Sequence, residues 1–402
     1  MIGAPLAGVR VIEFGNLVAA PYCGMLLADL GAEVIKVEPL SGDLARAIGP
    51  FYGVESAFFL GVNRGKLSLA VDPKDERVKT LLARLCEQSD VVLSNLRLGA
   101  MERMGLGAGA LQTMAPHLVV TVISAFGSKG PASYRPGIDL IFQGESGMMS
   151  ITGDPGEGPH KTATTIGDFL AGTNAALAIT SALAGGGGRH GSQGALVEIS
   201  LRDGIIAAQA TWNALYFTSQ RQPERTGTAS PVTGPNQSFR TADGHLNLAV
   251  VSDRHFVDTC RALRLDHVAT DARFATNELR VRHRDELVAI IQEVFAGETT
   301  GHWLKLLDEV GVPAGQIFDL EEVFADQQVI LNEMVVDISH PRIGRFRMQG
   351  SPLRLNGVSA RSQVAPPMLG QHTVAVLRDF GWSDAEVSEL VAAGVALDGS
   401  QP

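Results

Sequence analysis

The sequence is short of cysteine, of aromatic residues and of positive charge, and each shortage excludes something. Its 402 residues include three cysteines. Cys23, Cys86 and Cys260 are widely spaced and odd in number, with no C-x-x-C pair, so neither a disulfide framework nor a zinc site is indicated, and no metal is expected. Cys23 falls in an apolar helical pattern and reads as a small buried hydrophobe. Lys and Arg total 33 against 43 Asp and Glu, a formal net charge of −10. Nucleic acid is therefore not expected as a partner, because it would need a basic stripe. Any polyanionic ligand would need its own local cluster of cations. No run of about 20 uninterrupted apolar residues occurs. The start, Met1–Pro5, lacks the basic and apolar regions of a signal peptide, so a cytoplasmic protein without a membrane partner is expected.

What is present is 45 glycines in a chain that is 45% apolar and 19% charged, the composition of a turn-rich α/β protein. The length exceeds the roughly 250–300 residues that one core serves, so at least two domains are expected. Val9 to Phe14 reads as a buried strand, Ala20 to Leu30 as a helix with Pro21 in its first turn, and Glu33 to Glu38 as the next strand. The Gly15–Ala19 loop between them sits at a strand's carboxyl end, where open α/β sheets bind ligands. It lacks G-x-G-x-x-G, which leaves a nicotinamide or flavin reading without support.

Strand and helix keep alternating: a strand at Leu67–Val71, a helix at Asp75–Gln88, and strands at Asp90–Ser94 and Leu118–Ala125. This is the pattern of a doubly wound sheet. Asn63-Arg64-Gly65-Lys66 and Asn95-Leu96-Arg97-Leu98-Gly99 bring polar and basic residues to loops that would face a ligand, followed by a helical Glu102–Gly105. Surface solvation is the plain alternative for Lys66, Arg97 or Arg103 taken singly. Thr164–Gly172 leads into an Ala-rich helix ending at the glycines Gly185–Gly188. Asp168 reads there as an N-cap, the commonest job of an Asp at a helix start. After Gly191-Ser192-Gln193-Gly194 come a strand at Ala195–Ser200 and one helix from Arg202 to Phe217.

From Ser219 to Asn236 the chain is rich in Pro, Gly, Thr and Gln, which marks a linker or flexible loop. A hairpin turned at Asp243-Gly244 follows, with helices at His255–Leu263, Val281–Phe295, Thr300–Val310 and Leu320–Ala325, together a compact α+β module. Strands are expected at Val335–Ile338, Gly344–Met348 and Leu353–Leu355. Closing helices from His372 are interrupted at Gly381-Trp382-Ser383.

Taken in order, Leu6–Phe14, Ala28–Pro39, Asn63–Lys66, Arg103–Leu106, Arg135–Asp139, Gly191–Gly194, Ala325–Gln328 and Pro366–Thr373 resemble the family III CoA-transferases, the CaiB/BaiF family that also holds formyl-CoA transferases and α-methylacyl-CoA racemases. The resemblance runs collinearly over essentially the whole chain. It implies an interlocked homodimer whose protomer has a Rossmann-like large domain (residues 1–218), a smaller α+β domain (219–330) and a C-terminal segment (331–402) returning to the large one. It implies an acyl-CoA and a carboxylic acid as substrates, with coenzyme A as a substrate and no tightly bound cofactor.

The position matching the family's catalytic Asp is Asp168. Helix-start N–H groups are expected to keep it ionised. The implied chemistry is stepwise, through an aspartyl anhydride and an aspartyl-CoA thioester. The resemblance points to Lys66, Asn95, Arg97 and Arg103 for the phosphates, with Asn63, Arg64 and Leu96 in the same loops. Val18, Ala19, Gly137, Ile138 and Asp139 are implied nearer the pantetheine, and the small residues after Asp168 would let the thiol end approach. The racemase branch uses a His where this chain has Ile138, which cannot move a proton, so racemisation is disfavoured. A catalytically silent CoA-binding dimer is the third alternative. Val18 stands where formyl-CoA transferases have Gln, and the loop matching their four-glycine loop is here Ser230–Pro235. Both argue against formyl-CoA and oxalate, and Val18 with Ile48 suits a more apolar or larger acid.

Overall fold

The computed structural model describes residues 4–191 and 193–401; Met1–Gly3, Ser192 of the Gly191–Gly194 motif and Pro402 lie outside the described residues. The chain divides into two compact units. The larger comprises residues 4–148, 162–214 and 327–401, leaving aside the undescribed Ser192. Its centre is a six-stranded sheet of β1 (Arg10–Phe14), β2 (Glu33–Glu38), β3 (Lys66–Ala70), β4 (Val91–Ser94), β5 (Val119–Ser124) and β6 (Ala195–Ser200). The strands lie in the order β3-β2-β1-β4-β5-β6 and every neighbouring pair is parallel. This is a doubly wound α/β sheet, and its order reverses between β1 and β4, the crossover where such sheets open a crevice beyond their carboxyl ends.

The strands are apolar on both sides because both faces are covered. Val11, Val34, Val91 and Val119 face one core; Ile12, Ile35, Val92 and Val120 face the other. On the second face lies α2 (Glu76–Glu87), capped by Asp75, whose carboxylate accepts the Arg77 N–H. Its Val78, Leu81, Leu82 and Leu85 recur at the 3–4 spacing that makes one apolar stripe. On the first face lie α1 (Ala19–Asp29) and α4 (Ile166–Ala184), preceded by α3 (Asp139–Glu145) and followed by α5 (Leu201–Ala208) and α6 (Ala210–Ser219). The single helix expected over Arg202–Phe217 is thus two, broken at Gln209, whose side chain bonds back to Ile205 and Ser146 carbonyls. By length and composition α4 could cross a membrane; in the fold its Ala171, Ala175 and Ile179 pack in the core with Cys23 and Leu27 of α1.

The second unit gathers Leu215–Asp326 and also Met149–Lys161, a stretch that the sequence reading placed with the large domain. Strands β7 (Asn236–Arg240), β8 (His245–Ala249) and β9 (Ala314–Gln316) form an antiparallel sheet. Helices α7 (Asp253–Ala262), α8 (Arg284–Phe295) and α9 (Thr300–Glu309) close a core around Phe239, Leu246, Phe295 and Trp303. The last segment belongs to the larger unit, with a hairpin of β10 (Val335–His340) and β11 (Gly344–Gln349) and the helices α10 (Thr373–Asp379) and α11 (Asp384–Ala392). Val376 and Leu377 of α10 join the core over α2.

Candidate active site

The expected nucleophile is not the cap of its helix. Helix α4 begins at Ile166 after Thr165, which makes no side-chain cap bond, so Asp168 is the third residue of the first turn. The orphan N–H of Gly167 is satisfied from another helix, by Asp139 Oδ1 at 2.8 Å. Asp139 is the first residue of α3, and its second oxygen accepts from Gln143 Nε2 at 2.5 Å. Gln143 Oε1 in turn accepts the Thr162 N–H at 2.8 Å, so α3 holds the strand of chain that leads into α4. Position 167 is closely surrounded: a Cβ there would stand 2.9 Å from the end of the Ile205 side chain and 3.1 Å from Asp139 Oδ1.

Facing Asp168 is the start of α1. The Ala19 N–H, the first of a helix whose Val18 position offers no side-chain cap, is directed to the Asp168 carboxylate closely enough to favour its charged form. Helices α1 and α4 approach this closely because position 172 is glycine; a Cβ there would lie 2.7 Å from Ala19 O. Tyr22 and Phe169 meet edge-to-face, 4.8 Å between ring centroids. The small residues after Asp168, expected to admit a thiol, instead admit α1: Ala171 is wholly buried and Gly172 faces the α1 backbone.

Electrostatics correct a second expectation. Burial pushes the Asp168 carboxyl up to about 7, the charge of Asp139 adds to the rise, and the Ala19 N–H opposes both. One backbone donor and a helix start do not outweigh desolvation with a second carboxylate beside it. The group therefore changes charge near neutral pH.

The candidate CoA ligands separate into two classes. Arg97 and Arg103, on the loop and short helix beyond β4, are exposed and form no ion pair among the described residues. Leu96 lines a cavity of about 170 Å³ at the crossover, with Phe14, Asn16, Val37, Pro39 and Met104. By contrast, Asn63, Arg64 and Lys66 are at most 1% exposed. Arg64 pairs bidentately with Asp29 at 2.8 and 2.5 Å, Lys66 Nζ meets Glu13 Oε2 at 2.7 Å, and Asn63 bridges Phe59 O and Lys66. Lys66 is therefore no phosphate-facing cation; its charge is neutralised in the interior. Asn95 is also committed, since its side-chain amide exchanges two 2.9 Å hydrogen bonds with the Asn16 backbone and ties the β1 and β4 loops together. Val18 and Ala19 are buried, leaving Ala19 only its backbone for the site. Gly137 and the exposed Ile138 lead into α3, and a Cβ at Gly137 would strike the Phe142 ring at 2.5 Å.

A larger open depression of about 560 Å³ lies past β5 and β6, lined by Lys129, Glu198 and Asp203. Asp168 lines neither cavity; of the candidate ligand residues, Leu96 lines the smaller crossover cavity and none lines the larger one. Among the described residues no cluster of His, Cys, Asp and Glu could hold a metal.

Sequence reasoning missed Gln143, Glu13, Lys36 and Asp43. Two of these had a signal: Glu13 and Lys36 are charges within strands of a doubly wound sheet, where a buried charge requires a partner.

The pattern of CoA-transferase family III matches residues 6–373. A mouse protein named succinyl-CoA:glutarate CoA-transferase is 36% identical over 395 residues, covering 97% of this chain and 90% of that protein. An Agrobacterium fabrum protein named succinate–glutarate CoA-transferase is 35% identical over 388 residues, covering 94% of this chain and 96% of that one. The crystal structure of a CaiB/BaiF family protein from Brucella suis superposes with a TM-score of 0.82 at 32% identity, over 94% of this chain and 100% of that chain.

Proposed function

Because the chain belongs to CoA-transferase family III, we propose that it moves CoA from an acyl-CoA to a carboxylic acid with Asp168 as the nucleophile. The observation that carries this reading is the placement of Asp168: a carboxylate in the first turn of α4, touched by the Ala19 N–H and held by a network that leaves it otherwise free. In the first step the ionised carboxylate attacks the thioester carbonyl, CoA leaves as thiolate, and an acyl-aspartyl anhydride remains. The thiolate then attacks the aspartyl carbonyl, expelling the donor's carboxylate and leaving an aspartyl-CoA thioester. The acceptor carboxylate repeats the two exchanges in reverse order and departs as acyl-CoA, returning Asp168 as carboxylate. Each exchange conserves charge and the overall reaction trades one thioester for another, so the site's task is to hold the reacting atoms at attack distance and keep water out.

The phosphates of CoA fall to Arg97 and Arg103 and its adenine end to the crossover cavity. The donor and acceptor class that the mouse and Agrobacterium names suggest is succinyl-CoA with a small dicarboxylate. An interlocked homodimer fits the apolar surface that the single chain leaves uncovered, including Leu177 at 65% and Phe217 at 70% exposure.

Incubation with succinyl-CoA and glutarate, mesaconate or citramalate, followed by mass spectrometry of the protein treated with acyl-CoA alone, tests the reading. An adduct mapping to Asp168 is expected. Transfer retained in Asp168→Ala would overturn the mechanism, and deuterium wash-in at the acyl α-carbon without acceptor would favour racemisation.

A further inference from the structure

Beneath the loop that joins β1 to α1 lie four charged side chains: Glu13, Lys36, Lys66 and Asp43, each no more than 2% exposed. Glu13 Oε1 is 3.0 Å from Lys36 Nζ and its Oε2 is 2.7 Å from Lys66 Nζ, while Asp43 Oδ2 lies 2.8 Å from Lys36 Nζ. Burial alone would lower the pKa of Lys36, but the carboxylates around it outweigh that and raise it; burial wins at Lys66, which falls to about 8. Taking ions out of water is costly, and apolar side chains of similar volume often stabilise a fold as well or better. Stability is therefore a poor explanation for the cluster, and its remaining bonds supply a better one.

Three of the four also bond to one stretch of backbone. Lys36 Nζ donates to Gly15 O at 2.7 Å, Asp43 Oδ1 accepts the Leu17 N–H at 3.0 Å, and Lys66 Nζ donates to Pro21 O at 2.7 Å. Leu17 has φ +63°, a left-handed conformation that a bulky residue rarely adopts, and the bond to Asp43 holds it there. Above the cluster, any Cβ at Gly24 of α1 would stand 2.0 Å from Glu13 Oε2. The gripped stretch, Gly15 to Pro21, contains Ala19, whose N–H meets Asp168.

We propose that Glu13, Lys36, Lys66 and Asp43 act as positioning residues, fixing the path of Gly15–Pro21 so that the Ala19 N–H is aimed at the Asp168 carboxylate. The proposal rests on Asp168 being the nucleophile. An N–H donor on a carboxylate favours its ionised form, so a loop that drifts leaves the nucleophile both misplaced and harder to ionise. The groups that face Asp168 are the Asp139 carboxylate from α3 and the Ala19 N–H from α1, with Tyr22 of α1 against neighbouring Phe169. The cluster's variants leave Asp139 and Tyr22 in place, so a change in the titration of Asp168 traces to the loop.

The test uses Asp43→Asn and Lys66→Met in the full-length protein, with Asp90→Asn as a control that removes a buried charge at the opposite end of the sheet. The expected result is a fall in kcat of about 10-fold or more with KM for acyl-CoA within about 3-fold. The acid limb of kcat/KM should also move to higher pH by about half a unit or more. Asp90→Asn is expected to lower the melting temperature and leave the limb where it was. An Asp43→Asn enzyme that melts earlier but keeps its kcat and its acid limb overturns the proposal. Should that variant fail to fold, Asp43→Glu keeps the charge, displaces the acceptor from Leu17 by one methylene, and reads the same shift. Failure of the nucleophile assignment shows separately, as wild-type protein that forms no adduct on Asp168 with acyl-CoA alone.

Discussion

Asp90 and Asp168 stand at opposite ends of the same parallel sheet, and the fold treats them in opposite ways. Asp90 precedes β4 where the strands begin. It accepts the Arg10 N–H at 2.7 Å and the Arg189 N–H at 2.6 Å, and pairs with the Arg189 guanidinium at 3.0 Å. Burial raises its pKa, but the Arg189 and backbone donors outweigh this and hold it below the usual range. Asp168, beyond the strands' other end, has one backbone donor and a carboxylate neighbour, and it rises to about 7. A satisfied carboxylate closes loops; an under-satisfied one is held ready to react. The same contrast divides the cations, since Arg189 completes the rim of the sheet while Lys36 and Lys66 are drawn inside to shape a loop.

Removing each carboxylate tests the contrast most severely. Asp168→Ala is expected to lower kcat/KM by about 10³-fold or more, because the proposed covalent route runs through that carboxylate. Asp90→Ala should leave kcat/KM within about 3-fold while costing about 1–3 kcal/mol of stability, the penalty for stranding its partners. Steady-state kinetics and urea unfolding of the two variants would break the comparison if the effects were exchanged. Gly172→Ala probes the approach that brings Ala19 to Asp168. The added Cβ at 2.7 Å from Ala19 O must push α1 away, with an expected loss of about 1–3 kcal/mol and a fall in kcat of about 10-fold.

The two aspartates also predict opposite responses to pH. Asp168 has a folded pKa above its unfolded one, so its contribution to stability is fully present below about pH 4 and is lost as pH rises toward 7. Asp90 has a depressed folded pKa, so its contribution is present above the unfolded value and is lost as pH falls below it. Asp168→Asn should therefore stabilise the unliganded protein at pH 8 by about 2 kcal/mol, allowing for water at the half-buried carboxylate, and by almost nothing at pH 4. Melting temperatures across that range check the sign.

Much of the larger unit was legible because its strands and helices announce themselves by apolar period and by caps such as Asp75, and the parallel order follows from their alternation. The proposed nucleophile was legible only through resemblance, since an Asp near a helix start reads first as a cap. That reading failed because the cap came from Asp139, 28 residues earlier, a partner that no local pattern specifies. Lys66 and Arg64 were misplaced for a related reason. A basic residue after Asn63 looks like a loop cation, but whether it faces solvent depends on Glu13 and Asp29 being delivered beneath it by β1 and α1. Helix α3 was not expected at all, because Asp139–Glu145 is short and its Phe142 packs on Phe126, a partner outside the segment.

The smallest effect sharpens the division between inside and outside cations. Arg97 and Arg103 are exposed and unpaired among the described residues, so they are free to meet phosphate and equally free to be screened. Exposed ion contacts are weak singly and fall with ionic strength. Arg97→Ala or Arg103→Ala should raise KM for acyl-CoA about 3- to 10-fold at low salt, with kcat nearly unchanged, and the difference from wild type should shrink toward 0.5 M salt. Lys66→Met is expected to behave the other way, lowering kcat with little change in KM and little dependence on salt, because its partners are a buried carboxylate and a buried carbonyl. A salt-sensitive KM defect in Lys66→Met would return that lysine to the phosphate site that its loop position suggests.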